Sequence, residues 1–192
     1  MTLRIAVLVG SARPGCRSRT VVDWLVSTAS RDDLELDVLD LADFDLPLAG
    51  PVWDPPEAVT AVLARTHPRL TAADGFVVIT PEYNHSFPAV LKNFIDWHCH
   101  EWRAKPVAFV CHGGGLGGGL RAVEQLRLVF AELRAVTVRD TVSFQGGAVA
   151  FDESGRPREP DGCGMALKAL LDDLTWWALA LRDARAVRPY AV

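Results

Sequence analysis

Five short apolar runs, separated by five stretches of helical periodicity, constrain this chain more than any other feature. The first run, Leu3–Val9 (LRIAVLV), closes at Gly10; the others are Leu34–Leu39, Phe76–Thr80, Pro106–Cys111 and Val136–Phe144. A strand with one wet face alternates apolar and polar residues, whereas one covered on both faces is apolar throughout, and Leu3–Val9 is of the second kind. Between the runs, apolar residues recur every three or four positions. Val21, Val22, Leu25, Val26 and Ala29 form one such face, and 58–70 holds another. Val90, Leu91, Phe94, Ile95 and His98 form a third, in a helix expected to run to about Cys99. Leu120, Val123, Leu126, Phe130 and Leu133 form the fourth; Leu167, Leu170, Leu171, Leu174, Ala178 and Leu181 form the last. Strands alternating with helices predict a parallel sheet covered on both faces, an α/β three-layer sandwich. Right-handed crossovers leave few strand orders, of which 2-1-3-4-5 is the economical one.

That order sets the ends of strands one, three and four side by side, and ligands of open parallel sheets bind at such ends. The chain's 192 residues favour one domain over 1–192. A net charge of −4 without a basic stripe argues against nucleic-acid binding. The apolar run at residues 5–9 is too short for a membrane span. Cys16, Cys99, Cys111 and Cys163 are scattered with no C-x-x-C pair, which predicts reduced thiols in a cytoplasmic protein. Four prolines within 43–56 predict a long surface loop, and the Gly, Pro and charge of 151–164 predict an exposed excursion.

Three loops stand at the favoured strand ends. The first, Gly10–Ser18 (GSARPGCRS), joins a strand to a helix N-terminus, where free N–H groups and the helix dipole favour an anion. Ser11 and Ser18 can donate hydroxyls, and Arg13 and Arg17 bring positive charge. Cys16-Arg17 stands where a Walker loop needs Lys-Ser/Thr, so it is not one; a plain Gly/Pro turn capped by Ser is the other reading. In the second loop, Pro81 is expected to stop a strand, Glu82, Tyr83, Asn84 and His85 make a polar turn, and Pro88 opens a helix. The third, HGGGLGGG from His112, satisfies G-x-G-x-x-G only because glycine runs satisfy many patterns; no acidic residue follows at a second strand end. It reads as close backbone approach or positive φ, with a flexible connection open for its distal half. His98-Cys99-His100 does not predict a metal, since alternating residues diverge on a helix. Trp97 and Trp102 are expected in the core or at a subunit contact.

With GSARPGCRS, PEYNHSFPAVLKNFIDW and GGLRAVEQLR in place, residues 3–144 resemble the NADPH-dependent FMN reductase family, flavodoxin-like quinone, azo-dye and chromate reductases. The resemblance implies a bound FMN and NADPH or NADH as hydride donor. It places the phosphate at Ser11, Arg13 and Ser18 with the Cys16–Ser18 amides, Arg17 alongside. The ring would lie between Pro81–Asn84 and His112, Gly113 and Gly114. The flavin N5 carries the chemistry, with no catalytic side chain; backbone N–H groups of Glu82, Tyr83 and Asn84 would polarise the ring. Hydride arrives at N5 and a small acceptor such as a quinone leaves with the electrons, in ping-pong order. Cys16 replaces a polar or basic side chain common in the family, and His112 a small polar one. A homodimer or homotetramer is also implied. A flavodoxin-type electron carrier serving a protein partner is the alternative.

Overall fold

The apolar runs pair into one parallel sheet in the computed structural model, which describes residues 2–48 and 50–191. The strands are β1 (Leu3–Val9), β2 (Leu34–Asp40), β3 (Gly75–Pro81), β4 (Pro106–His112) and β5 (Val136–Phe144), in the order β2-β1-β3-β4-β5. The helices are α1 (Ser18–Thr28), α2 (Glu57–Ala72), α3 (Ala89–Asp96), α4 (Leu120–Glu132) and α5 (Pro160–Val187). All four strand pairs are parallel, with a register irregularity between Val107 and Phe109 against β5.

Successive strand residues point to opposite faces, so one apolar strand feeds two cores. Ile5, Val7, Val9, Val77, Ile79 and Val110 face α1 and α5, where Val21, Leu25, Leu167 and Leu171 cover them. Ala6, Leu8, Phe76, Val78, Phe109 and Cys111 face the other way, under Leu70, Leu91, Phe94, Val123 and Phe130. Every residue of β3 and β4 is buried. Each fully buried Val, Leu, Ile or Phe contributes about 1.5–3 kcal/mol, so these two strands anchor the sheet.

Several expectations need correction. Pro81 ends its strand from inside it: it is the last residue of β3, paired with His112, an end position where a missing N–H costs little. Helix α3 ends at Asp96, short of Cys99, as the Trp97 N–H closes on Asn93 O. Val26 is exposed, and Trp24 takes the buried place on α1, edge-on to Phe144 at 5.1 Å. Trp97 and Trp102 are both core residues, which removes them as contact candidates. Trp102 sits between Phe76 and Phe130, at 4.6 and 5.5 Å. Trp97 is covered by the chain near Pro47, whose carbonyl accepts its Nε1–H at 3.2 Å. Residues 151–164 are not a wholly exposed excursion. Phe151 is buried and stacks on Phe144 at 4.7 Å, Pro157 bridges back to Phe151, and α5 begins at Pro160.

His98 closes the α2–α3 interface. It is fully buried, its Nδ1 2.6 Å from Phe94 O and its Nε2 2.7 Å from the Thr66 hydroxyl. Burial pulls its pKa down to about 4, with the nearby His67 adding to the effect. An unfolded histidine binds a proton near pH 6.5, whereas this one resists until about 4. Stability is therefore full above pH 6.5 and falls as pH drops toward 4, by as much as about 3 kcal/mol. Urea unfolding midpoints at pH 7.5, 5.5 and 4.5 should show this loss, and His98→Gln should flatten it.

Candidate active site

The ends of β1, β3 and β4 meet at one edge of the sheet, and their three loops converge there. The Gly10 amide donates to Ile79 O at 2.8 Å, tying the first loop to β3. A Cβ at Gly10 would stand 2.7 Å from that same oxygen, so only glycine lets the strands approach this closely. Beyond it lies a cleft of about 300 Å³, lined by Arg13, Pro14, Gly15, Cys16, Arg17, Pro81, Glu82, Tyr83, His112, Gly113 and Gly114.

One end of the cleft is built for an anion. The first turn of α1 has no side-chain cap and no acidic residue, so its leading amides lack intrahelical acceptors. Arg13 and Arg17 stand on the adjoining wall. The Cys16 amide is already engaged, donating to Arg13 O at 3.1 Å. Ser11 and Ser18 are buried beneath the wall. The Ser11 hydroxyl takes the Arg13 N–H at 3.3 Å and meets Tyr83 OH at 2.9 Å. The Ser18 hydroxyl meets His112 Nε2 at 2.9 Å and Cys16 Sγ at 3.3 Å. His112, at the end of β4, thus reaches the anion end directly.

The other end is a clamped turn. Tyr83 and Ser86 exchange backbone hydrogen bonds of 2.8 and 3.1 Å, with Asn84 and His85 at φ 49° and 73°. That is a two-residue hairpin of the type that needs two positive-φ positions, a conformation asparagine tolerates well. Helix α4 holds it. Gln125 donates to His85 O and accepts from the Ser86 hydroxyl, both at 2.7 Å, and Arg121 pairs with Glu82 at 2.8 Å. The second Glu82 carboxylate oxygen is buried without a partner.

The amide donors expected at this turn are mostly spent. The Glu82 N–H donates to His112 O at 2.9 Å, continuing the β3–β4 pairing beyond Pro81, and the Tyr83 N–H closes the hairpin. Of the three expected donors, only the Asn84 amide has no backbone acceptor, and it stands at the exposed tip, beside His85, rather than on the cleft wall. Pro14, Gly15, Arg121 and Gln125 were not singled out from sequence. The Pro14-Gly15 turn was the available signal for the first two, whereas the helical pair reads as an ordinary polar face.

The glycine loop shows the close approach and positive φ expected of it, and does so in the distal half, where a flexible connection is the other reading: Gly118 and Gly119 have φ of 55° and 100°. A Cβ at Gly119 would lie 2.8 Å from both Cys111 Cβ and His112 N. At Gly15 and Gly114, by contrast, a Cβ would meet nothing within 4 Å. Bare backbone there leaves room for a flat ring and a phosphate to lie against the walls, so the cleft fits FMN. His98, the buried member of the His98-Cys99-His100 run, spends both ring nitrogens within the core.

A doubly wound sheet with an uncapped helix N-terminus and a flat, glycine-walled cleft defines a flavodoxin-like flavoprotein. The sequence profile of the NADPH-dependent FMN reductase family matches residues 3–148, and the chain belongs to that family. It is an oxidoreductase, with FMN as its flavin and NAD(P)H as hydride donor. A 2-hydroxy-1,4-benzoquinone reductase from Burkholderia sp. is 36% identical over 161 residues, covering 80% of this chain and 82% of that one. A quinone reductase from Escherichia coli strain K12 is 32% identical over 151 residues, covering 77% and 79%. An NAD(P)H-dependent FMN reductase from Schizosaccharomyces pombe is 33% identical over 124 residues, 62% of each chain. Among solved structures, a flavoenzyme NAD(P)H:(acceptor) oxidoreductase from Paracoccus denitrificans superposes with a TM-score of 0.73 at 26% identity, covering 92% of this chain and 97% of its own.

The two kinds of glycine should separate on substitution. Gly119→Ala forces a side chain into backbone at a left-handed φ and should cost more than about 2 kcal/mol. Gly114→Ala should leave stability within about 0.5 kcal/mol. Urea melts of the two variants beside wild type make the comparison.

Proposed function

We propose that this protein takes hydride from NADPH or NADH and passes electrons to a small acceptor such as a quinone, in ping-pong order. In this reading residues 1–192 form one FMN-binding domain. The observation that carries it is the convergence of the β1, β3 and β4 loops on a single cleft, cationic at one end and glycine-walled at the other. The Burkholderia and E. coli relatives, both quinone reductases by name, support a quinone as the acceptor.

FMN, when bound, supplies the hydride and electron chemistry at its N5, and the chain binds and orients it. Arg13, Arg17 and the first-turn amides of α1 hold the phosphate, with Ser11 and Ser18 fixing the loop from below. Pro81, Glu82 and Tyr83 form one wall for the ring, and His112, Gly113 and Gly114 the other. Asn84 offers a turn amide from the exposed tip, and His85 stands exposed beside it at the mouth. The hairpin clamp from α4 fixes these groups in advance, so little rearrangement accompanies the reaction.

Arg13→Ala with Arg17→Ala should weaken FMN binding by about 2–4 kcal/mol, since charge-assisted bonds contribute about 1.5–3 kcal/mol each and neighbours are not additive. An FMN titration measures this; unchanged affinity would reject the phosphate placement. NADPH consumption with 1,4-benzoquinone, giving parallel double-reciprocal lines, tests the reaction order. Converging lines would reject ping-pong.

We further propose a homodimer or homotetramer working in the cytoplasm. Leu48, Val52 and the fully exposed Trp53 cluster on the loop that leads into α2, an apolar surface that association would cover. Four unpaired cysteines suit a reducing compartment. Among the described residues no helix is long and apolar enough to cross a membrane. Sedimentation at micromolar concentration should give at least a dimer, and Trp53→Ser should weaken it.

A further inference from the structure

Two donor chains converge on the half-buried Cys16 sulfur. In one, the Tyr83 hydroxyl donates to Sγ at 3.8 Å. Its own proton being used there, it accepts from Ser11 at 2.9 Å, and Ser11 in turn accepts the Arg13 amide. In the other, His112 Nε2 meets the Ser18 hydroxyl at 2.9 Å, and that hydroxyl meets Sγ at 3.3 Å. With the proton on Nε2, Ser18 turns its own proton toward the sulfur. Donors arriving from both sides suit a thiolate, which only accepts. Arg13, Arg17 and the uncapped start of α1 add positive potential, the setting that lowers thiol pKa values. Glu82, the acidic group on the cleft wall, is neutralised by Arg121. Burial alone raises the Cys16 thiol, but bonds with His112, Ser11 and Ser18 outweigh it and bring it down to about 6. Tyr83 keeps its proton, since burial pushes its hydroxyl up.

We propose that the Cys16 thiolate is the resident anion of this cleft without its flavin, and that FMN binding and Cys16 protonation are one coupled event. The proposal rests on the phosphate lying at the Gly10–Ser18 loop. A phosphate dianion and a thiolate repel each other in one cradle. As the phosphate enters, the sulfur takes a proton from solvent; no covalent bond to carbon or phosphorus forms, and no oxidant or reductant is consumed. By linkage, FMN affinity then falls as pH rises through the range where the thiolate predominates, and the flavin-free protein carries a nucleophile that FMN silences.

FMN fluorescence quenching gives Kd from pH 5.5 to 8.5 for wild type and Cys16→Ser. The phosphate's own second ionisation near pH 6 strengthens binding in both, so the ratio of the two constants isolates Cys16. That ratio should rise about tenfold per pH unit above the thiol's ionisation. A second measurement needs no variant: iodoacetamide labelling of flavin-free wild type, read at Cys16 by peptide mass. Labelling should be near its maximum by pH 7 and at least tenfold slower with FMN. Parallel Kd curves, or labelling that rises only near the ordinary thiol range of about pH 8.5, would overturn the proposal. The two failures separate. Parallel curves with weakened Arg13→Ala binding overturn the thiol's role alone. Unweakened Arg13→Ala binding removes the phosphate from this loop, and the proposal with it.

Discussion

The cleft exists because β3 lies between β1 and β4 in parallel register. Val9 pairs with Ile79, and Pro81 with His112, so three chain segments far apart in sequence leave the sheet within two residues of one another. A register slip by one residue would turn every side chain of β3 to the opposite face. Two apolar cores oppose that slip, since β3 and β4 are buried on both sides. The same pairing does not stop at the strand ends. The Glu82 N–H bond to His112 O carries it one step into the loops, so the wall of the cleft is an extension of the sheet.

This extension separates what the sequence disclosed from what it did not. Fully covered strands announce themselves as unbroken apolar runs, and chain order then dictates which loops meet. Hence strand order and most of the cleft wall were legible from Gly10–Ser18, Pro81–Tyr83 and His112–Gly114. Hydrogen-bond allocation was not. Whether the Glu82 and Tyr83 amides face a ligand or a carbonyl depends on register and on the hairpin closing at Ser86, neither of which leaves a local pattern. Trp97 and Trp102 take the core place, one of the two expected for them, and which of the two was illegible for a related reason. Helical spacing put Trp97 near a helix end, but its cover comes from Pro47, fifty residues away along the chain. Pro14 and Gly15 were passed over because they carry no side-chain chemistry, although bare backbone is what that wall contributes.

At the opposite, N-terminal edge of the sheet, polar groups are buried for structure alone. Lys105 lies beneath Leu70 and Thr71, donating to both carbonyls at 2.8 and 2.9 Å and closing the end of α2. Burial lowers it to about 8, with Arg185 contributing in the same direction. A cation at a helix C-terminus satisfies carbonyls that would otherwise be orphaned. Perturbed groups therefore occur at both edges of this sheet, and only their setting separates them. Lys105 is enclosed by carbonyls it satisfies, whereas Cys16 opens on a cleft.

The hairpin at Tyr83–Ser86 is clamped at its base by Gln125 and exposed at its tip. A loop of this construction decouples two demands that usually conflict. In the proposed function, ring placement is set by the base, through the Tyr83–Ser86 main-chain pair and the Gln125 clamp. In the proposed function, the side chains at 84 and 85, exposed at the tip, border the mouth that meets an electron acceptor. In that reading a side-chain change at the tip would alter which oxidants are accepted while the base still holds the wall of the flavin pocket.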